Sequence, residues 1–103
     1  MNASPPFAIR FDAEGVAWLS GELDLATAAS FSEALKAGLD GHQPVLDCSD
    51  LTFIDSSGIR AVVQLAKMSA QAVVLRNLPP NVRKVLGIAG VDETMGVRFD
   101  LRG

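Results

Sequence analysis

The sequence predicts an α/β domain built on a mixed, largely parallel sheet with crossover helices. Three observations predict it. Apolar residues alternate with polar ones over residues 7–11 and 97–101, the period of half-buried strands. Apolar residues recur at three to four positions around Phe31, Leu35 and Leu39, and around Val82, Val85, Leu86 and Ala89, the period of helices. The two patterns alternate: two strands, then helix, strand, helix, strand, helix, strand. Helices between successive strands imply parallel pairing, with one antiparallel edge from the opening hairpin. The 103 residues are 49% hydrophobic, enough for a single domain, 1–103, with a real core.

Pro5-Pro6 closes a loose leader, residues 1–6. Phe7, Ile9 and Phe11 face inward from the first strand, and Glu14-Gly15 turns the chain. Residues 16–19 form the second strand, which Gly21-Glu22-Leu23-Asp24 ends. The first helix begins at Ala26, with Thr27, Ser30, Glu33, Lys36 and Asp40 on its wet side. Gly38 weakens it and Gly41 stops it. Pro44 opens the third strand, residues 45–48, since proline is tolerated at a strand's first position. The second helix covers residues 59–70. Residues 72–75 are continuously apolar, as in a strand buried on both faces. Pro79-Pro80 fits the first turn of the third helix and Gly90 its end.

Composition narrows the function. Nine basic and twelve acidic residues give a net charge of -3. That balance argues against a nucleic-acid binder, which needs a basic face, and equally against docking on anionic lipid. The single cysteine excludes an internal disulfide and a multi-cysteine metal site. The first residues carry no basic or apolar signal segment, and no apolar run is long enough to span a bilayer, so a cytoplasmic protein without direct membrane insertion is expected. His42, the only histidine, sits in a Gly-His-Gln-Pro loop. No general base is offered to a serine, and no catalytic residue is assigned. Asp47, Asp50 and Asp55 read as strand, turn and cap residues rather than metal ligands, and no cofactor motif is present. Cys48 reads as a small buried hydrophobe and Trp18 as a core residue.

Chemistry concentrates at two strand-to-helix turns, residues 21–27 and 50–58, where sites form in such sheets. In Asp55-Ser56-Ser57-Gly58 the aspartate and serines are good helix caps. The same serine, exposed at a helix start, is also open to phosphorylation. A phosphate there adds about -1.5 to -2 charges beside Asp55, and near Asp24 if the two turns adjoin. The helix terminus tolerates that charge; a partner pressed on the surface does not. Along the second helix, Ile59, Val62, Val63 and Ala66 form the expected core stripe. Arg60, Gln64, Lys67 and Gln71 form a polar stripe. Ala61, Leu65 and Met68 form a second apolar stripe, which fits either a neighbouring helix or a partner.

Gly21-Glu22-Leu23-Asp24, then Leu51-Thr52-Phe53-Ile54-Asp55-Ser56-Ser57-Gly58-Ile59, resemble the STAS domain, and more narrowly the bacterial anti-sigma factor antagonists. Leu78-Pro79-Pro80-Asn81-Val82-Arg83-Lys84-Val85-Leu86 and Gly90-Val91 resemble the family's third helix and its exit. The resemblance runs from about Phe7 to Leu101. It implies partner switching: the unphosphorylated protein binds an anti-sigma factor that is also a serine kinase, and sigma factor is freed. Phosphorylation of Ser56, with Ser57 the second choice, abolishes binding, and a phosphatase resets it. The partner-binding residues it implies, together with the second stripe, are Asp24, Asp55, Ser56, Ser57, Gly58, Ala61, Leu65 and Met68. Many antagonists carry a helix after the last strand, whereas this sequence stops at Gly103; without that helix, apolar surface is expected to lie open for a dimer mate or another subunit, and the short end also suits the transport-subunit alternative below. A monomer or weak dimer is expected. Leu25-Ala26 supply no polar group where family members can make a contact. STAS domains also serve as subunits of membrane lipid-transport complexes and as stress-signalling scaffolds, which is the alternative reading. Transport-type members tend to have threonine at the position of Ser56.

Overall fold

The computed structural model describes residues 7–39 and 41–100. The expected leader, Asp40 and the end of the last strand at Leu101 lie outside the described residues. The elements run β1 (Ala8–Phe11), β2 (Ala17–Leu23), α1 (Ala28–Leu39), β3 (Val45–Ile54), α2 (Ser56–Met68), β4 (Val73–Arg76), α3 (Pro80–Ile88), a short 3-10 turn (Glu93–Met95) and β5 (Val97–Asp100). One sheet holds all five strands in sequence order. β1 is antiparallel to β2, and every later pair is parallel. The mixed sheet expected from the alternation of patterns is the one observed.

The opening hairpin forms because Asp12 organises its turn. Its carboxylate accepts the N–H groups of Glu14 and Val16 at 2.9 and 3.0 Å and the Trp18 indole N–H at 2.8 Å. The indole bond, ahead of the two amides, holds the Asp12 carboxyl below its ordinary range despite partial desolvation. Gly15 supplies the positive φ, +86°, that the turn requires.

Alternate residues of β2 are buried, so Ala17, Leu19 and Leu23 join Phe31 and Leu35 of α1 in the core. Leu46, Val73, Val82, Leu86 and Val97 complete it from the later elements. Fully burying such a side chain contributes about 1.5–3 kcal/mol. Gly38, expected to weaken α1, lies inside the helix: the Phe11 ring occupies the space a β-carbon would need. The glycine lets β1 close on α1.

The opposite face of the sheet carries a polar row. Arg10, Trp18, Asp47, Arg76 and Asp100 are register partners across the five strands. Trp18 is half-buried rather than a core residue: Arg10 and Arg76 stand 5.6 and 5.3 Å from its ring centroid. Asp47 is fully buried and accepts hydrogen bonds from Arg76 Nε at 2.8 Å, Asn77 Nδ2 at 2.7 Å and Ser49 Oγ at 2.7 Å. Burial alone would raise its pKa; the Arg76 bond, with Ser49 and Asn77, outweighs that and leaves it below the ordinary range. Neighbouring Cys48 is buried. Burial, and then the Asp47 charge, push its thiol up to about 12, so it stays a protonated core residue.

β3 is longer than the four residues expected. It continues through Ser49-Asp50-Leu51-Thr52-Phe53 to Ile54 because β2 continues beside it. Asp50 is therefore a strand residue, paired with Ser20, rather than a turn. Gly21 does not end β2 either. It adopts φ +91° next to a register shift, a bulge that only glycine makes cheaply, and the strand resumes to Leu23.

Candidate functional site

β2 and β3 finish side by side, with Leu23 opposite Ile54. The next residue of each strand is an aspartate, so Asp24 and Asp55 open two adjacent turns. The Asp55 N–H donates to the Leu23 carbonyl at 3.2 Å and ties the turns together.

The Asp24 turn is closed on itself. The Asp24 carboxylate accepts the N–H groups of Ala26 and Thr27 at 3.0 and 3.2 Å. The Thr27 hydroxyl accepts the Asp24 N–H at 2.9 Å and donates to the Glu22 carbonyl, also at 2.9 Å. Asp24 thus holds the entry to α1, with its carboxylate occupied within the turn. The residue presented outward is Leu25, 79% exposed. Thr27, placed on the wet side of the helix from its periodicity, instead forms the hydroxyl pivot of this turn.

The Asp55 turn is built differently. Asp55 is the N-cap of α2, and its Oδ1 accepts the Gly58 N–H at 3.0 Å. α2 starts at Ser56, three residues earlier than expected. Gly58 is buried: a β-carbon there would strike the Leu23 carbonyl and lie 2.8 Å from Ile54 Cγ1. Gly58 is therefore a packing residue that seats α2 against the end of β2, not a surface contact. Ser57 is half-buried. Ser56 is exposed, and its hydroxyl has no hydrogen-bond partner among the described residues.

This close approach sets the rotation of α2. Its buried residues are Gly58, Ala61, Val62 and Ala66. Ala61, expected on a partner-facing stripe, is only 8% exposed and belongs to the core. Leu65 is half-buried and lines a cleft of about 330 Å³ between α1 and α2, with Leu35, Leu39 and Pro44. Of that stripe only Met68, 67% exposed, stands clear of the core, at the far end of the helix from Ser56. Ala61 thus packs in the core, and Leu65 lies partly against the core beside Leu35 and Leu39 of α1.

Ile59 and Val63, expected in the core, are displaced to its flank. With Ser56, Arg60, Gln64 and Lys67 they form one wall of an open groove of about 410 Å³, facing Ala89, Val91 and Met95. Ser56 stands at one end of this groove. Small residues clustered at positions 58, 61 and 66 are the sequence signal for the close-packed side, and they locate the larger apolar residues beside it. Met95, in the 3-10 turn, was not legible as a site residue. Among the described residues no group of three or more histidines, cysteines or carboxylates could hold a metal ion. No helix among them is long and apolar enough to cross a membrane.

The family model described as Mlab, STAS domain, matches residues 9–101. The chain belongs to the STAS family. Among its relatives is BtrV of Bordetella bronchiseptica, a protein provisionally assigned as an anti-sigma factor antagonist, 35% identical over 86 residues that span 79% of this chain and 74% of BtrV. The fold is also that of the anti-sigma factor antagonist SpoIIAA in its unphosphorylated form, with TM-score 0.61 and 22% identity over 95% of this chain and 90% of SpoIIAA. A Thermotoga maritima protein, again a provisionally assigned antagonist, superposes with TM-score 0.70 and 23% identity over 93% of this chain and 87% of its own. These relatives place the STAS chain among proteins related to anti-sigma factor antagonists.

Proposed function

We propose that this STAS protein is a cytoplasmic, non-catalytic anti-sigma factor antagonist whose grip on its partner is set by phosphorylation of Ser56. The observation that carries the reading is the Ser56 hydroxyl: exposed, without a hydrogen-bond partner among the described residues, and at the end of a groove that a partner can cover. In the unmodified state an anti-sigma factor with serine-kinase activity docks over the Asp55 turn and the α2 groove, and sigma factor is released. The kinase transfers the γ-phosphoryl group of ATP to Ser56. A bond forms between Ser56 Oγ and phosphorus, the bond to the ADP oxygen breaks, and the hydroxyl proton passes to a base on the kinase. The added charge lies beside Asp55 and Asp24 and inside the contact area, where it cannot be hydrated without parting the surfaces. A phosphatase restores the hydroxyl.

Leu25 and the groove residues Ile59, Val63 and Met95 are the apolar contacts of this docking surface, in place of Ala61 and Gly58. The test is incubation with ATP and a cognate anti-sigma kinase, read by intact mass. Uptake of one phosphate by the parent, abolished by Ser56→Ala and retained by Ser57→Ala, is the expected result. Ser56→Asp is expected to weaken anti-sigma binding while keeping the parent's circular dichroism spectrum, because negative charge suits a helix N-terminus. Absence of phosphate uptake, with copurification on a membrane ATPase complex, would instead support the lipid-transport alternative.

A further inference from the structure

We propose that Arg60 is the internal receptor for the phosphate on Ser56, so that modification consumes a cation otherwise offered to the partner. The inference rests on the reading that Ser56 is phosphorylated. Ser56 and Arg60 are both in α2, both exposed and four residues apart, so their side chains are neighbours on one helix face. They line the same groove. The acid precedes the base along the chain, which is the favourable order for such a pair.

Arg60 is available for this role. It makes no hydrogen bond or ion pair among the described residues, although carboxylates lie near this end of the molecule. Asp24 is turned onto the amides of Ala26 and Thr27, and Asp55 onto that of Gly58. Asp92, in the segment packed beside α2, is turned onto Thr94, and exposed Glu93 follows it. Lys67, the other cation of the groove, is eleven residues beyond Ser56, about 16 Å along the helix axis and beyond reach.

A phosphate on Ser56 thus meets a guanidinium, which matches its oxygens in a planar fork. The unmodified groove displays an unopposed cation beside Ile59 and Val63. The modified groove displays a neutralised Arg60 and the residual phosphate charge. A partner contributing a carboxylate over Arg60 loses that attraction in the same event that introduces repulsion.

The test uses full-length protein with phosphoserine installed at position 56 during translation, so that no kinase is needed. The phosphate is titrated by phosphorus NMR in the parent, Arg60→Gln and Lys67→Gln. Asp24 and Asp55 raise its second pKa in all three and cancel in the comparison. The expected result is a pKa lower in the parent than in Arg60→Gln by about 0.3–0.7 of a pH unit, with Lys67→Gln equal to the parent. Equal values for the parent and Arg60→Gln would overturn the proposal, as would equal shifts from the two substitutions, which would indicate a diffuse field. None of these outcomes depends on whether a kinase accepts Ser56, which the mass assay decides separately.

Discussion

The two aspartate turns occupy equivalent places in the fold and do opposite things with their hydroxyls. Asp24 and Asp55 follow directly on paired residues of adjacent parallel strands. In the first turn the Thr27 hydroxyl is fixed between the Asp24 amide and the Glu22 carbonyl. In the second the cap is supplied by Asp55 alone, and the Ser56 hydroxyl is left over. A hydroxyl held in main-chain bonds is part of the scaffold. One released from capping by a neighbouring carboxylate can be modified without dismantling the helix start. The aspartate before the serine therefore does more than add charge: by taking the cap it frees the serine.

The strongest way to break this comparison is to unseat the second turn. Gly58→Ala places a methyl group against the Leu23 carbonyl and the Ile54 side chain, neither of which can withdraw freely. A loss of about 2–3 kcal/mol is expected in urea denaturation. Gly87→Ala, in α3 with open space around the added carbon, serves as the control and is expected to gain about 0.5–1 kcal/mol. Next in size are the caps. Asp24→Ala removes the acceptor of two main-chain amides, and Asp55→Ala that of one. Expected losses are about 2 and about 1 kcal/mol, read from the same denaturation midpoints. Equal losses would mean that the turns are not held as differently as their hydrogen bonds indicate.

The sheet was legible because its information is local. The alternation of β2 and the spacing of Phe31, Leu35 and Leu39 are written in residue size and polarity. The second half of β3 was not, because Ser49, Asp50, Thr52 and Phe53 are exposed there and carry no period-two signal. What makes them a strand is the bulged partner β2, including the Thr52 hydroxyl donating to the Gly21 carbonyl at 3.1 Å. The site was legible as a motif but not as a surface. The Asp55-Ser56-Ser57-Gly58 motif is visible in the sequence, with Ser56 preferred to Ser57 only through the family resemblance, yet which residues flank it depends on the rotation of α2, and one contact, Gly58 on Leu23, sets that rotation. Reading Ile59 and Val63 as core followed from their size. The small residues at 58, 61 and 66 carried the truer signal, since only small side chains let a helix approach a strand end this closely.

The smallest expected effect discriminates most sharply between the two turns. Thr27→Val keeps the shape of the side chain and removes only the hydroxyl, leaving the Asp24 N–H and the Glu22 carbonyl each short of a partner. The expected loss is about 1 kcal/mol, since each group can recover part of its bonding from water at this half-buried site. Ser56→Ala removes a hydroxyl that bonds to nothing among the described residues, and alanine is a good helix former. Its expected effect is within about 0.5 kcal/mol of zero, with phosphate uptake abolished. Thermal melts of the two variants and the parent measure the difference directly. If Ser56→Ala cost as much as Thr27→Val, the serine would be a structural cap after all, and modifying it would disturb the helix start as well as the surface.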